Sequence, residues 1–353
     1  MEQQKAKAWF IKCIVLLASS LLLIAMVVVV LDPYFHYHKP LSFLSYRLYE
    51  ERYINDGIAR HFDFDAMIIG TSMAQNFKTS EMDTLFGTNA VKTPLSGAGY
   101  KELSENLDRA LQRNKNLKTV VWAVDYNGLL RDDDWEMYEE YPTFLYDDNM
   151  LNDAAYLFNK SILYHGILSS LEMTIAKEPS TTMDEYSSWQ YETGLTHILY
   201  SYDRMSLKEH DSKEFGTAQR EMVTQTIDSN IIQLVNKYPE TTFYLFYTPY
   251  NICYWDAISI EGTIEKQIDA ERQATELLLQ CPNVRLYNFF DQHEIIENLE
   301  YYNDLVHYSA EVNSMILQWM AEGTGQVTKE NYLDKLDAEK QYYLNYDYNA
   351  IYE

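Results

Sequence analysis

Short apolar runs alternate with stretches of helical periodicity between residues 64 and 320. A short apolar run bounded by turn residues predicts a buried strand, whereas apolar residues three and four positions apart predict an amphipathic helix. The predicted strands are Ala66–Gly70, Ala90–Thr93, Thr119–Asp125, Thr242–Thr248 and Val284–Asn288. The predicted helices are Lys101–Asn114, Thr217–Tyr238, Glu261–Leu279 and Ser309–Glu322. Strands that alternate with helices in this way predict an α/β fold with a doubly wound, mostly parallel sheet.

A long apolar run near the N-terminus predicts a transmembrane helix. Cys13–Leu31 is uncharged and rich in Leu, Ile and Val, and it is about long enough to cross a hydrocarbon core. Lys5, Lys7 and Lys12 precede it, so the positive-inside tendency places the N-terminus in the cytoplasm and the chain after Asp32 outside the cell. A cleaved signal peptide is the alternative, although the run is long for one and no small-x-small cleavage site follows it. We therefore expect a single-pass protein of the cell membrane.

Changes in composition divide the chain into four parts. After the third predicted strand, acidic and Tyr-rich segments of irregular periodicity interrupt the α/β pattern, which predicts an inserted cap region at about residues 130–215. The predicted parts are a cytoplasmic tip with the transmembrane anchor at 1–31, a membrane-proximal segment at 32–63, an α/β domain containing the insertion at 64–328, and a C-terminal tail at 329–353.

Composition limits what the protein can bind. The net charge of -25 over 353 residues argues against nucleic acid, because phosphate binding needs a concentrated basic face. Neutral or cationic substrates and sugars remain compatible with this charge. We expect no cofactor and no metal: His36 and His38 lack an obvious third ligand, and Asp132–Asp134 lacks the ordered oxygen spacing of a calcium loop. Cys253 and Cys281 flank a predicted crossover helix at opposite sheet edges, too far apart for a disulfide.

A serine stands just beyond the first predicted strand. The strand ends at Gly70, and Ser72 then lies where a helix begins, a place where backbone N–H groups favour negative charge. A serine there can be a nucleophile if a base is near. Asp304 and His307 can supply an imidazole and the carboxylate that orients it. Each feature also has a plainer interpretation, because such a serine commonly caps a helix and an Asp-x-x-His pair is commonly a surface pair.

The predicted sheet brings these groups to one edge. Sites of open parallel sheets form beyond the carboxyl ends of the strands. Ser72 follows the first strand, Gly97 and Gly99 follow the second, Asn127 follows the third, and the Asp-x-x-His pair follows the last. The Ser72 backbone N–H, an N–H of Gly97 or Gly99, and the Asn127 side chain are the candidate oxyanion donors. Further side chains near these strand ends can line a pocket or simply pack: Lys92, Tyr100, Tyr250 and Trp255.

These motifs resemble those of the SGNH/GDSL hydrolases. The resemblance consists of Gly70-Thr71-Ser72 after the first strand, a glycine-bearing second loop, an asparagine in the third, and Asp304 three residues before His307. It covers about residues 64–320 and implies a three-layer α/β/α fold with a Ser-His-Asp triad. The first block departs from the family's Gly-Asp-Ser, and Asp125-Tyr126-Asn127 departs from its Gly-x-Asn-Asp. An ordinary α/β-hydrolase elbow, Gly-x-Ser-x-Gly, fits less well because position 74 is Ala.

With its N-terminal anchor, the chain also resembles membrane-anchored acyltransferases and esterases of cell-surface polymer modification, such as the D-alanyl-lipoteichoic acid biosynthesis protein and the alginate O-acetyltransferase group. That resemblance implies an extracytoplasmic serine esterase or O-acyltransferase that acts on an acylated cell-envelope glycopolymer. A membrane-bound O-acyltransferase is an implied partner. The alternatives are a catalytically silent SGNH-like module that binds such a polymer or partner, and a purely structural anchored protein.

Overall fold

One mixed sheet forms the centre of the α/β fold. The computed structural model describes residues 2–137, 142–147, 149–210 and 213–352. In these residues the strands are β1 (Ala66–Ile69), β2 (Ala90–Lys92), β3 (Thr119–Val124), β4 (Thr242–Tyr247), β5 (Val284–Tyr287) and β6 (Gln326–Val327). Their order is β2-β1-β3-β4-β5-β6, with every neighbouring pair parallel except β5 and β6. The predicted α/β class is confirmed, and each of the five predicted strands ends one residue later than the strand observed.

The described residues also contain fifteen α-helices. The α-helices of the described residues are α1 (Glu2–Leu31), α2 (Glu51–His61), α3 (Thr79–Phe86), α4 (Tyr100–Arg113), α5 (Tyr126–Leu129), α6 (Ala154–Leu157), α7 (Ser169–Ala176), α8 (Leu195–Ser201), α9 (Thr217–Ile227), α10 (Gln233–Lys237), α11 (Ile252–Glu261), α12 (Ile264–Leu278), α13 (His293–Ile296), α14 (Ala310–Glu322) and α15 (Tyr332–Asn345). A π-helical segment, Ile162–Leu168, leads into α7, and another, Asp228–Ile232, joins α9 to α10. The predicted helix Thr217–Tyr238 is therefore continuous but contains a π-helical stretch.

The predicted helix Glu261–Leu279 is wrong at its start. Gly262 adopts a left-handed conformation, φ +73°, and its N–H bonds to carbonyls of the preceding turn. Glycine reaches this region without steric cost and commonly ends a helix there. The chain consequently forms two helices, α11 and α12, on either side of this residue.

The sheet is covered on both faces. Crossover connections between parallel strands are right-handed. The connection through α3 runs from β1 to β2, and the connection through α4 runs from β2 to β3, which is the opposite direction along the strand order. The two helices therefore lie on opposite faces of the sheet. Adjacent residues of β4 illustrate the two layers. The Phe246 ring contacts Phe77 and Phe289 on one side, whereas the Tyr247 hydroxyl bonds to Thr275 of α12 on the other. The fold is thus a three-layer α/β/α arrangement.

The chain divides into two compact units. One comprises residues 1–62 and 140–182, and the other comprises residues 63–139 and 183–353. The region predicted as an inserted cap, 130–215, is shared between them. The C-terminal tail belongs to the second unit, where α15 packs on α12.

The first unit contains α1, which is long and apolar enough to cross a membrane. A fully buried carboxylate, Asp32, directly follows this helix. It accepts backbone N–H bonds from His36, Tyr37 and His38 and a hydroxyl bond from Tyr156. These donors compensate the loss of water around a buried charge and hold the chain in a tight turn after α1.

A carboxylate pair is buried between α12 and α15 in the second unit. Glu271 and Glu339 have no exposed surface, and the Asn288 side chain donates to both carboxylates. Burial raises the pKa of both groups, that of Glu339 to about 8, and the Glu339 charge raises the pKa of Glu271 further. At neutral pH both carboxyl groups therefore favour the protonated form, which avoids two unpaired charges in the core.

Candidate active site

Ser72 lies immediately beyond the carboxyl end of β1. The chain leaves the strand through Gly70, where a Cβ would come within 2.9 Å of the Ala123 Cβ on β3 and 3.0 Å of the Ala74 Cβ. Only glycine fits this close approach of neighbouring strands. Ser72 then opens a short 3-10 turn, Ser72–Ala74, and its side chain faces the sheet edge.

Three predicted side chains form a continuous hydrogen-bonded series. Ser72 Oγ lies 2.7 Å from His307 Nε2, and His307 Nδ1 lies 2.7 Å from Asp304 Oδ2. The other Asp304 oxygen accepts the backbone N–H groups of Val306 and His307 at 2.9 and 2.8 Å. Because Asp304 Oδ2 can only accept a hydrogen bond from His307 Nδ1, it favours the imidazole tautomer that carries its proton on Nδ1. His307 Nε2 is then unprotonated and can accept the Ser72 proton.

The loop that carries Asp304 and His307 is held by its own backbone. The Asn303 N–H bonds to the His307 carbonyl, and Tyr302 pairs with Tyr308 as an isolated antiparallel bridge. Asn251, the N-cap of α11, donates its side-chain amide to the Asp304 carbonyl at 2.6 Å. The loop therefore presents both side chains from a closed turn that is tied to the end of β4.

Electrostatics favour a charged imidazole beside a charged carboxylate. Burial lowers the pKa of His307, but the hydrogen bond and negative charge of Asp304 outweigh it, so the pKa lies above its ordinary value of 6.5. Burial raises the pKa of Asp304, and the bonds from His307 and from the Val306 N–H reverse this and lower it. Asp304 is consequently ionised at neutral pH and stabilises the imidazolium that forms when His307 takes a proton.

Asp125 is a site residue that the sequence interpretation did not single out. It follows β3 directly and is almost fully buried, which raises its pKa. One carboxylate oxygen accepts from Thr71 Oγ1 at 2.6 Å, and the other accepts from Tyr250 and Thr248 at 3.0 and 3.3 Å. Thr71 precedes Ser72 in the chain, so Asp125 ties the serine turn to the ends of β3 and β4. The sequence did contain a signal for this role, because Asp125 is a charged residue directly after an apolar central strand.

A cavity of about 160 Å³ opens at Ser72 and His307. Besides these two residues its lining includes Thr71, Met73, Gly97, Ala98, Gly99, Tyr100, Asp125, Asn127, Gly128, Arg131, Asp132, Trp135, Thr226, Tyr250 and Val306. The Arg131 guanidinium stacks on the Trp135 ring at 3.8 Å. Trp189 contacts the His307 ring edge-on at 5.8 Å. Ser72 Oγ and His307 Nε2 therefore face a small, partly aromatic cavity.

The predicted oxyanion donors have different surroundings. Gly97 and Asn127 line the cavity together with Ser72 and are exposed. Gly99 also lines it, but its N–H donates to Glu102 Oε2 at 2.8 Å as part of the capping box of α4. A backbone donor that is already committed to a carboxylate cannot also serve an oxyanion, so the assignment of Gly99 needs correction. The glycine is required for space, because a Cβ would lie 2.3 Å from the Trp135 carbonyl oxygen.

The four accompanying side chains separate into two groups. Tyr100 and Tyr250 line the cavity and bond to Asp125. Lys92 is fully buried and donates to backbone carbonyls, and Trp255 stacks on a tyrosine of α15 away from the cavity. Among the described residues, no group of three His, Cys, Asp or Glu side chains is placed to hold a metal ion.

Comparison with known proteins gives a limited result. No family model and no curated protein matches the sequence. A solved structure from Streptococcus pneumoniae, described as a candidate platelet activating factor, is similar to this chain at a TM-score of 0.39 and 15% identity, over 78% of this chain and 91% of that one.

The surroundings of His307 predict an elevated pKa in solution. In an NMR titration of histidine Cε1–H signals, we expect the His307 signal to titrate above 6.5 because Asp304 stabilises the imidazolium. Asp304→Asn removes that charge and should lower the pKa, since burial alone lowers it. Glu311→Gln, an exposed acid of α14, is the matched control and should leave the signal unmoved. A wild-type pKa at or below 6.5 would contradict the geometry.

Proposed function

We propose that the protein is a membrane-anchored serine esterase or O-acyltransferase of the SGNH type. The observation that carries the proposal is the Ser72–His307–Asp304 series, with both links at 2.7 Å, opening into a cavity at the carboxyl edge of a parallel sheet. Nucleophile, base and orienting acid in this order are the arrangement used for acyl transfer through a covalent intermediate.

The proposed reaction has two halves. Ser72 Oγ attacks the acyl carbonyl while His307 Nε2 takes the hydroxyl proton, and the same proton then passes to the leaving alcohol oxygen as the ester bond breaks. Water or an acceptor hydroxyl next attacks the acyl-Ser72 ester, again giving its proton to His307, which returns it to Ser72 Oγ. Asp304 stays ionised throughout and stabilises the imidazolium.

The oxyanion of each tetrahedral intermediate needs nearby donors. The Ser72 N–H, the Gly97 N–H and the Asn127 side chain are the proposed ones, because all three residues line the cavity. Each such donor typically lowers the barrier by about 2.7–4 kcal/mol. Gly99 is not included, since Glu102 accepts its N–H.

The proposed substrate is an acylated cell-envelope glycopolymer outside the cell. The apolar helix α1, preceded by Lys5, Lys7 and Lys12, supports an anchor with a cytoplasmic N-terminus. The strongly acidic composition is compatible with a neutral or cationic polymer and disfavours nucleic acid. A membrane-bound O-acyltransferase that delivers the acyl group is the proposed partner, by resemblance to anchored acyl-transfer proteins.

A catalytically silent binding module is the second candidate. The commitment of the Gly99 N–H to Glu102 favours it, because one of the expected oxyanion donors is occupied. A silent module would bind an envelope polymer or the acyltransferase partner without forming an acyl-serine.

Hydrolysis of a short acyl ester by the full chain in detergent micelles separates the two candidates. We expect Ser72→Ala and His307→Gln each to lower kcat by about 10³-fold or more, because the members of a triad act as one unit. Ser188→Ala, an exposed serine outside the cavity, should match the wild type. Equal rates for wild type and Ser72→Ala would refute the acyl-serine mechanism. A wild type that does not hydrolyse the ester but transfers its acyl group to a glycan acceptor, in a reaction that Ser72→Ala abolishes, would identify an acyltransferase.

Asp125 should position Ser72 through Thr71. Asp125→Asn retains only one acceptor oxygen for the donors of Thr71, Thr248 and Tyr250, so we expect kcat/KM for the same ester to fall by about 10–100-fold. The lost charge also lowers the pKa of His307, so the acid limb of the pH–rate profile, which rises as His307 deprotonates, should move to lower pH.

The control for this change is Asp256→Asn, another buried acid, which accepts from Tyr202 and Arg204 outside the cavity. It should reduce stability without moving the acid limb. An Asp125→Asn profile that keeps the wild-type acid limb would restrict Asp125 to a packing role.

A further inference from the structure

One side of the outer end of α1 contacts the rest of its own unit, while Met26, Val27, Val29 and Val30 are exposed. Val28 is fully buried, and Ile24 and Leu31 are half-buried, whereas Leu16 nearer the cytoplasmic end is exposed. The covering elements are α6 and the π-helical segment Ile162–Leu168. Polypeptide outside the helix therefore contacts the last turns of the predicted membrane span.

Close contacts fix this arrangement where the chain leaves α1. Gly166 in the π-helical segment approaches Pro33 so closely that a Cβ would lie 2.7 Å from the proline Cγ. His38 Nε2 lies 3.1 and 3.2 Å from the carbonyl oxygens of Val29 and Val30 at the end of α1. The π-helical segment thus packs closely against the chain that directly follows α1, and both belong to the same compact unit.

The depth of these contacts follows from helix geometry. A helix rises about 1.5 Å per residue, so a hydrocarbon core of about 30 Å is crossed by roughly 20 residues, which Cys13–Leu31 nearly provides. The stretch Ile24–Leu31, which is contacted on one side, then occupies roughly the outermost 10 Å of the span. Residues packed against it lie at the level of the outer leaflet and its headgroups.

The π-helical segment and α7, which continues it, present apolar side chains outward. Tyr164, Leu168 and Ile175 are 58%, 44% and 82% exposed, and their spacing places them on one helical face, which we term the outer stripe. Glu172, one turn after Leu168 and one turn before Ile175, is exposed at the edge of the stripe; His165 is exposed next to it, and Lys177 is the C-cap of α7. An apolar stripe with a tyrosine and flanking polar groups is typical of a helix at a membrane surface.

We propose that the outer stripe inserts into the outer leaflet, so that the protein is held by one spanning helix and one interfacial helix. The occupant is neutral lipid, because a chain with a net charge of -25 is repelled by anionic headgroups and the contact is apolar. Two attachments fix the tilt of the first unit on the membrane, whereas a single helix would leave it free to rotate about its axis.

Site-directed spin labelling of the full chain in phosphatidylcholine nanodiscs tests the proposal. Ile175→Cys is made in a Cys13→Ser background, since Cys253 and Cys281 are buried and protected from the label. Met205→Cys, 92% exposed in the second unit, is the matched control. We expect the ratio of collisions with oxygen, which partitions into lipid, to collisions with a water-soluble nickel complex to be several-fold higher at position 175 than at position 205.

Equal ratios at the two positions, with the nickel complex quenching both, would overturn the proposal. A label at 175 that is shielded from both reagents would also overturn it, because a protein partner would then cover the stripe. A second label at Leu168→Cys guards against local disturbance. It lies on the stripe nearer to α1 and should show the same lipid preference if the stripe is inserted.

Discussion

The parallel alignment of β1, β3, β4 and β5 is the constraint on which the site depends. Ser72 and His307 are 235 residues apart in sequence, yet their side chains come within 2.7 Å because the loops that carry them leave the same sheet edge. The near-continuous burial of the central strands makes this alignment costly to change, since a register slip would expose apolar residues. The geometry of the site is thus supported by the stability of the sheet.

Hydrogen bonds from neighbouring loops then convert proximity into a defined arrangement. Asp125 holds Thr71 before the serine turn, and the Asn313 side chain of α14 donates to the Met73 carbonyl within it. On the other side, Asn251 fixes the Asp304 carbonyl at the start of the histidine loop. Side chains from three further elements therefore restrain the loops that carry Ser72 and His307, as the preorganisation of the proposed acyl transfer requires.

The sequence was sufficient to predict the five parallel strands, the fold class and the meeting of Ser72, Asp304 and His307, because apolar periodicity and the shared edge of parallel strands are properties of the pattern; the short antiparallel strand β6 was not predicted. It was insufficient where the outcome depends on tertiary neighbours. The role of Asp125 arises from donors on other loops, and the capping bond from Gly99 to Glu102 competes with an oxyanion role. The helix break at Gly262 depends on the left-handed backbone conformation of that residue. The division of residues 130–215 between two compact units depends on tertiary contacts, which local periodicity does not encode.

Covalent labelling of Ser72 by a fluorophosphonate, located by peptide mass spectrometry, tests the central claim most directly. The account predicts that the folded full chain is labelled at Ser72 and that His307→Ala nearly abolishes the reaction, because the imidazole must take the hydroxyl proton. A folded wild-type protein that carries no label at Ser72, or that is labelled equally well without His307, would contradict it.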